Sequence, residues 1–123
     1  MPILEIQIVL KPNEELPEGL AAQAARTAAK VLKALPGHTW VKLFPIKAEY
    51  YAEDDSDSQP AVFPVFVSVL KRRRGPAEEL EDEARSLAFA LAAVCDRPVE
   101  NVHILYEEEA AGRVAFGGHL QLY

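Results

Sequence analysis

The 123-residue chain holds one cysteine, Cys95, one tryptophan and one methionine. A lone cysteine excludes an internal disulfide framework. Its alanine-rich apolar setting reads as a small buried hydrophobe rather than a catalytic thiol, which suits a reducing compartment. No apolar run approaches the ~20 residues that span a bilayer. The apolar opening "MPILEIQIVL" carries no basic leader, is interrupted by Glu5 and Gln7, and stops at Lys11-Pro12, so it does not read as a secretion signal. Positive charge is scarce as well. Thirteen Lys and Arg stand against 19 Asp and Glu, a net charge of −6, which disfavours the broad basic face that duplex nucleic acid needs. A cytoplasmic protein with neither membrane nor nucleic-acid partner is the expectation.

What is present has the balance of a globular protein: half the residues are hydrophobic and 26% charged, enough for one domain with its own core. Leu4, Ile6, Ile8 and Leu10 alternate with Glu5 and Gln7, the period of a strand with one buried face, from about Pro2 to Leu10. In "LAAQAARTAAKVLKAL" the residues Leu20, Ala24, Ala28, Val31, Leu32 and Leu35 form one helical stripe, closed by Pro36-Gly37. "TWVKLFPI" reads as a second strand and "KAEYYAEDDSDSQPA" as a polar loop.

The order then repeats. "FPVFVSVLK" reads as a strand, "RRRGP" as a turn, "PAEELEDEARSLAFALAAVC" as a helix with acids in its first turn, and "RPVENVHILYEE" as a fourth strand. The two halves, about 2–47 and 62–108, share order and length and read as an internal duplication, followed by a tail over 109–123. Each strand-helix-strand crossover implies a parallel pair. The predicted fold is therefore α+β: a four-stranded mixed sheet with two helices on one face. Trp40, Val67, Val69 and Ile104 leave too few polar positions for water on both sides, so the second face calls for cover by oligomerisation. The same order of elements also fits a ferredoxin-like ligand sensor.

Proline at position 2 has two readings. It suits a strand start, where no hydrogen bond need be donated. Methionine is also normally trimmed before so small a residue, which would leave a free secondary amine able to act as a base. Such an amine is mostly protonated at neutral pH unless burial or neighbouring cations lower its pKa toward 7. Pro64 heads the third strand, but its nitrogen lies in a tertiary amide and has no basicity, so the chain would carry one base.

Pro2 after Met1, the two strand-helix-strand halves, and the stretch "NVHILYEEEAAGRVAFGG" together resemble the tautomerase superfamily, which includes 4-oxalocrotonate tautomerase, 5-carboxymethyl-2-hydroxymuconate isomerase and macrophage migration inhibitory factor. The resemblance covers nearly the whole chain, and its best local match runs from Pro98 to Gly118. It implies a homotrimer with sheets inside and helices outside. It also implies a cofactor-independent keto–enol tautomerase or isomerase acting on an enol, dienol or 2-oxo acid, with Pro2 as the catalytic base. A trimeric binding protein without catalysis would keep the same scaffold.

The resemblance marks several further residues. Relatives with carboxylate substrates carry an arginine in the loop that holds Arg72, Arg73 and Arg74 here, and alignment on Pro64 selects Arg74, with Arg72 if the loop slips. The run also fits a solvated basic turn balancing Glu78 and Glu79. As a nuclear address or nucleic-acid patch it is short and sits on an acidic chain. His103 stands where the short tautomerases have a substrate-binding arginine and the cytokine-like branch a tyrosine, and so is a candidate for substrate or for the subunit interface. Phe116 matches an apolar wall position, while Val114 replaces a catalytic phenylalanine. Trp40 and Lys42 occupy the first half's counterpart of the His103 region, with Lys42 a further substrate-binding candidate. Pro36 stands where the cytokine-like branch has a lysine. Glu107, Glu108 and Glu109 leave room for a hydratase role.

No metal or organic cofactor is expected. His38, His103 and His119 lack ligand spacing, and "EDDSDS" lacks the glycine and terminal glutamate of a calcium loop.

Overall fold

The computed structural model describes residues 1–54 and 62–123. Of the acidic run read as a solvated loop, Asp55, Ser56, Asp57 and Ser58 lie outside the described residues. The chain forms β1 (Pro2–Val9), α1 (Leu20–Leu32), β2 (Trp40–Ile46), a 3-10 turn (Ala48–Tyr50), β3 (Val65–Lys71) and α2 (Ala77–Cys95). A second 3-10 turn (Val99–Asn101), β4 (Val102–Tyr106), and the short strands β5 (Ala115–Phe116) and β6 (His119–Leu120) follow.

The main sheet runs β2-β1-β3-β4. β1 and β2 are parallel direct neighbours, Ile3 opposite Trp40, and β3 and β4 likewise, Val65 opposite Val102. The two pairs join antiparallel through β1 and β3, where Pro2 faces Lys71. A ferredoxin-like sheet splits each strand-helix-strand unit by inserting another strand. Neither unit is split here.

Alternation along the strands decides which face meets the helices. Leu4, Ile6 and Ile8 of β1 and Val65, Val67 and Val69 of β3 are fully buried against Leu20, Ala24 and Ala28 of α1 and Leu87 and Leu91 of α2. Each fully buried aliphatic side chain of this kind contributes about 1.5–3 kcal/mol. The alanines of α1 let the helix lie close to the sheet.

The opposite sheet face carries Ile3, Glu5 and Gln7 of β1, Trp40, Lys42 and Phe44 of β2, Phe66, Ser68 and Leu70 of β3, and His103 and Leu105 of β4. This corrects the sequence reading in detail. Val67, Val69 and Ile104 point toward the helices, and the apolar load of the bare face comes from Trp40, Phe44 and Leu105, each about half exposed, with Phe66 between them.

Two element ends also differ from expectation. α1 stops at Leu32 rather than Leu35, because Lys33 adopts a left-handed conformation (φ 54°) and the Ala34 amide turns back to the Ala29 carbonyl at 3.0 Å. This closes the helix as a glycine usually does. The fourth strand begins at Val102, since Arg97 turns inward and Val99–Asn101 forms a 3-10 turn. Among the described residues, no helix is long and apolar enough to cross a membrane.

Candidate active site at the head of the first strand

Pro2 opens β1 with its side chain buried, and its cross-strand partner is Lys71, the last residue of β3. The basic run that follows therefore starts one peptide away from the chain's first strand residue. A cleft of about 450 Å³ opens there, bounded by Met1 and Pro2, by Lys33 and Ala34 at the end of α1, by His38, and by Lys71, Arg72 and Arg73. On the other side of Met1 lies a hollow of about 250 Å³ lined by His38, Trp40, Arg72, Phe116 and Gln121. Met1, His38 and Arg72 border both spaces.

The electrostatics of this corner favour an uncharged amine. Burial draws the Met1 α-amino group below its ordinary value, and the Arg72 guanidinium adds to the shift. Both causes penalise the protonated form, the first by loss of water and the second by like-charge repulsion.

The basic loop is held by the chain that leaves β4. The Glu107 amide donates to the Val69 carbonyl at 2.9 Å and the Ala110 amide to the Lys71 carbonyl at 2.8 Å. The Glu109 carboxylate accepts from the Arg74 amide at 2.7 Å and lies 3.6 Å from the Arg73 guanidinium. That backbone hydrogen bond is the first cause holding Glu109 below the usual glutamate value, with Arg73 and Arg74 adding to it. Arg113 braces the same segment, donating to the Glu109 carbonyl at 2.9 Å and the Glu108 carbonyl at 2.7 Å. Of the three arginines, Arg72 lines the cleft and borders the amine, Arg73 lines the cleft and pairs with Glu109, and Arg74 engages Glu109 through its amide.

Phe116 reaches the site by turn chemistry. Gly117 and Gly118 both have positive φ, 58° and 88°, which joins β5 to β6 in a two-residue hairpin. The hairpin is anchored where the Gln121 amide donates to Val114 at 2.8 Å. It sets the Phe116 ring edge-on to Trp40, centroids 5.2 Å apart at 77°, an attractive aromatic geometry. Trp40 is itself fixed by its indole N–H donating to the Gly37 carbonyl at 3.1 Å.

Lys42 and His103 lie elsewhere in the chain. Lys42 is on the bare sheet face, 2.9 Å from Glu5, beside a hollow that also holds Ser68, Glu107 and Arg113. His103 is on the same face toward the far end of the sheet, its ring 5.4 Å from that of Phe66. Within one chain, Pro2 and Arg72 line the cleft and Phe116 the adjoining hollow that Arg72 also borders, whereas Arg74, Lys42 and His103 line neither.

The structure also brings in Lys33, Ala34 and His38, which sequence reasoning did not single out. The Arg97 corner shows why Ala34 matters. Lys33 and Asp96 are matching left-handed caps of the two helices, and the next amides, Ala34 and Arg97, each donate back to a helix carbonyl at 3.0 Å. At this matched position Arg97 is buried. Its guanidinium donates to the Val9 carbonyl at 2.9 Å, the Phe63 carbonyl at 2.8 Å and both Glu14 carboxylate oxygens, the nearer at 2.7 Å. One end of the sheet is thus plugged by a guanidinium. At the Pro2 end the matched residue is Ala34, which lines the cleft beside Lys33 and Leu35.

No protein-family model matches this sequence, and no curated protein matches it. Solved structures do match. The chain aligns over 98% of its length with macrophage migration inhibitory factor from Oncomelania hupensis, covering 83% of that chain at 17% identity and TM-score 0.73. It aligns over 98% with a wild-type symmetric trimer of fused 4-OT, covering 97% of that chain at 14% identity and TM-score 0.75. It aligns over 98% with Pt0534 inactivated by 2-oxo-3-pentynoate, covering 96% of that chain at 11% identity and TM-score 0.76. At these identities the likeness is one of architecture: the chain shares the fold of these proteins.

Proposed function

We propose that this protein is a cofactor-independent keto–enol tautomerase, in which removal of Met1 frees Pro2 as the general base. The observation that carries the reading is the place of Pro2 on the cleft, one residue from a Met1 amine that burial and Arg72 both draw below its ordinary value. A proline amine there would be neutral over a useful part of the physiological range.

In the proposed reaction the Pro2 nitrogen takes the hydroxyl proton of an enol or dienol and returns a proton to the conjugated carbon, giving the keto form. General acid–base help of this kind is worth about 10²–10⁴-fold. Arg72 binds the substrate carboxylate and steadies charge developing on the adjacent oxygen. Phe116 and Trp40 form an apolar wall beside it. The substrate class is an enol, dienol or 2-oxo acid, which agrees with the inactivation of the structural neighbour Pt0534 by 2-oxo-3-pentynoate.

The working unit in this reading is a homotrimer that covers the bare sheet face, as the trimeric form of fused 4-OT suggests. Lys42 and His103 then lie at or near subunit contacts, where a neighbouring copy would decide their access to substrate. The segments 2–47 and 62–108 are copies of one unit, and the protein works in the cytoplasm.

The test pairs native mass with an ultraviolet assay on phenylenolpyruvate and 2-hydroxymuconate. A trimer that ketonises either compound, and loses that activity in Pro2→Ala, supports the reading. A trimer whose Pro2→Ala variant turns over equally well removes the base. A trimer inert toward both compounds fits the binding role.

A further inference from the structure

A half-buried trio of side chains sits beside the cleft without a part in the proton transfer just described. Lys71 Nζ lies 2.8 Å from one Glu83 carboxylate oxygen, and the Tyr106 hydroxyl donates to the other at 2.8 Å. The Lys71 and Glu83 side chains are only 20% and 17% exposed, so this pair is far less screened than the surface pairs at Arg85. Both Glu83 oxygens are engaged, one from β3 and one from β4, which fixes the carboxylate. Lys71 is also the cross-strand partner of Pro2, and it lines the cleft. Directly opposed residues in an antiparallel pair have side-chain roots about 4.5–5.5 Å apart.

The other charges around the amine have distinct placements. Lys33 and His38 approach from α1 and the link after it, and Arg72 and Arg73 from the end of β3. On α2, Glu79 and Asp82 join Glu83 along a separate hollow behind the cleft. The hairpin contributes Phe116 and Gln121, neither charged. Among the described residues, Glu83 is the carboxylate joined to Lys71, the cleft-lining cation that directly opposes Pro2.

Resting on the tautomerase reading, we propose that Glu83 is a positioning residue that neutralises Lys71 beside the Pro2 amine, and so sets the pH range in which the base works. Without the carboxylate, the Lys71 ammonium would stand uncompensated next to the amine and add to the repulsion from Arg72. With it, the pair is close to neutral at the distance of Pro2, and burial and then Arg72 set the balance. Tyr106 keeps the carboxylate from following Lys71 into the cleft.

The test is a nitrogen NMR titration of the terminal amine in the Met1-free protein labelled at proline, run beside the pH–rate profile for phenylenolpyruvate. Glu83→Gln is expected to move both midpoints down by about half a pH unit, a roughly threefold loss of proton affinity, as expected for one uncompensated like charge nearby that solvent still screens. Lys71→Met is expected to leave the midpoint unchanged or raise it. The double variant should return to the wild-type value, because both charges are gone; a purely structural role would make the two single variants behave alike. If the wild-type amine titrates low but Glu83→Gln leaves it in place, the inference fails and the base reading stands. If the wild-type amine titrates at an ordinary value, or no free proline amine exists, both fall.

Discussion

Pro2 lies directly across the antiparallel β1–β3 ladder from Lys71. This one pairing brings the start of the chain to the end of β3, and with it to the arginine run. Because β2 also begins beside β1, with Trp40 opposite Ile3, the same corner receives an aromatic wall. The site is a product of strand register rather than of any local motif.

Arg72 is the arginine expected to matter for substrate. Arg72→Ala should raise KM for carboxylate substrates by about 10- to 100-fold, the worth of a charged hydrogen bond. It should also raise the pH at which activity appears, since the guanidinium penalises a protonated amine at this corner, as it does that of Met1. Arg74→Ala should change neither by more than about twofold, because its contact with Glu109 uses the backbone amide. Steady-state kinetics from pH 5 to 9 separate the two variants.

Arg97 is expected to hold the fold together. Its side chain is 1% exposed, and removal in Arg97→Met would strand Glu14 and four backbone carbonyls, those of Val9, Phe63, Cys95 and Asp96. The expected loss is about 3–5 kcal/mol, read by urea denaturation.

Acid should weaken the same corner. The Arg97 hydrogen bond is the first cause holding Glu14 below the usual glutamate value. A depressed carboxylate stabilises the fold above its unfolded pKa, and that contribution disappears as pH falls through the folded one. Stability should therefore drop from about pH 4.3 downward, and Glu14→Gln should flatten the drop. Thermal melts between pH 3 and 7 check this.

Ala34→Arg should close the cleft from the helix end, as Arg97 does at the matched corner. The expected outcome is loss of at least about tenfold in kcat/KM, with an unchanged circular dichroism spectrum. A variant with native activity would show that substrate does not enter past α1.

Much of this was legible in the sequence, and the reason is periodicity. Leu4, Ile6 and Ile8 announce β1, and the alanine-rich stripe from Leu20 to Ala28 announces α1, because each reports a local geometry. The end of α1 was not legible, since Lys33 takes a left-handed cap without the glycine that usually signals one. Arg97 was passed over because its partners at Val9, Glu14 and Phe63 are remote along the chain. Face assignments failed where a strand is apolar on both sides. In β3, Val67 and Val69 turn inward while Phe66 turns out, and composition alone does not separate them. Lys42 and His103 depend on the same choice of face, and for that reason sit away from the cleft in the single chain. That Arg72 lines the cleft and Arg74 does not depends on the register of Pro2 with Lys71, a long-range pairing with no local signal.

Trp40 offers an optical handle on the hairpin. Phe116→Ala should alter the emission of this lone tryptophan and weaken ligand affinity by a few-fold, since an edge-on ring pair is worth about 0.5–1.5 kcal/mol. Fluorescence titration with a competitive carboxylate ligand reads both effects.

The central claim is that a free Pro2 nitrogen performs the proton transfer. The most direct measurement compares phenylenolpyruvate ketonisation by protein that begins at Pro2 with the same protein retaining Met1, each verified by intact mass. At least about a 100-fold higher rate from the trimmed form is the expected result. Equal rates from the two forms would contradict it.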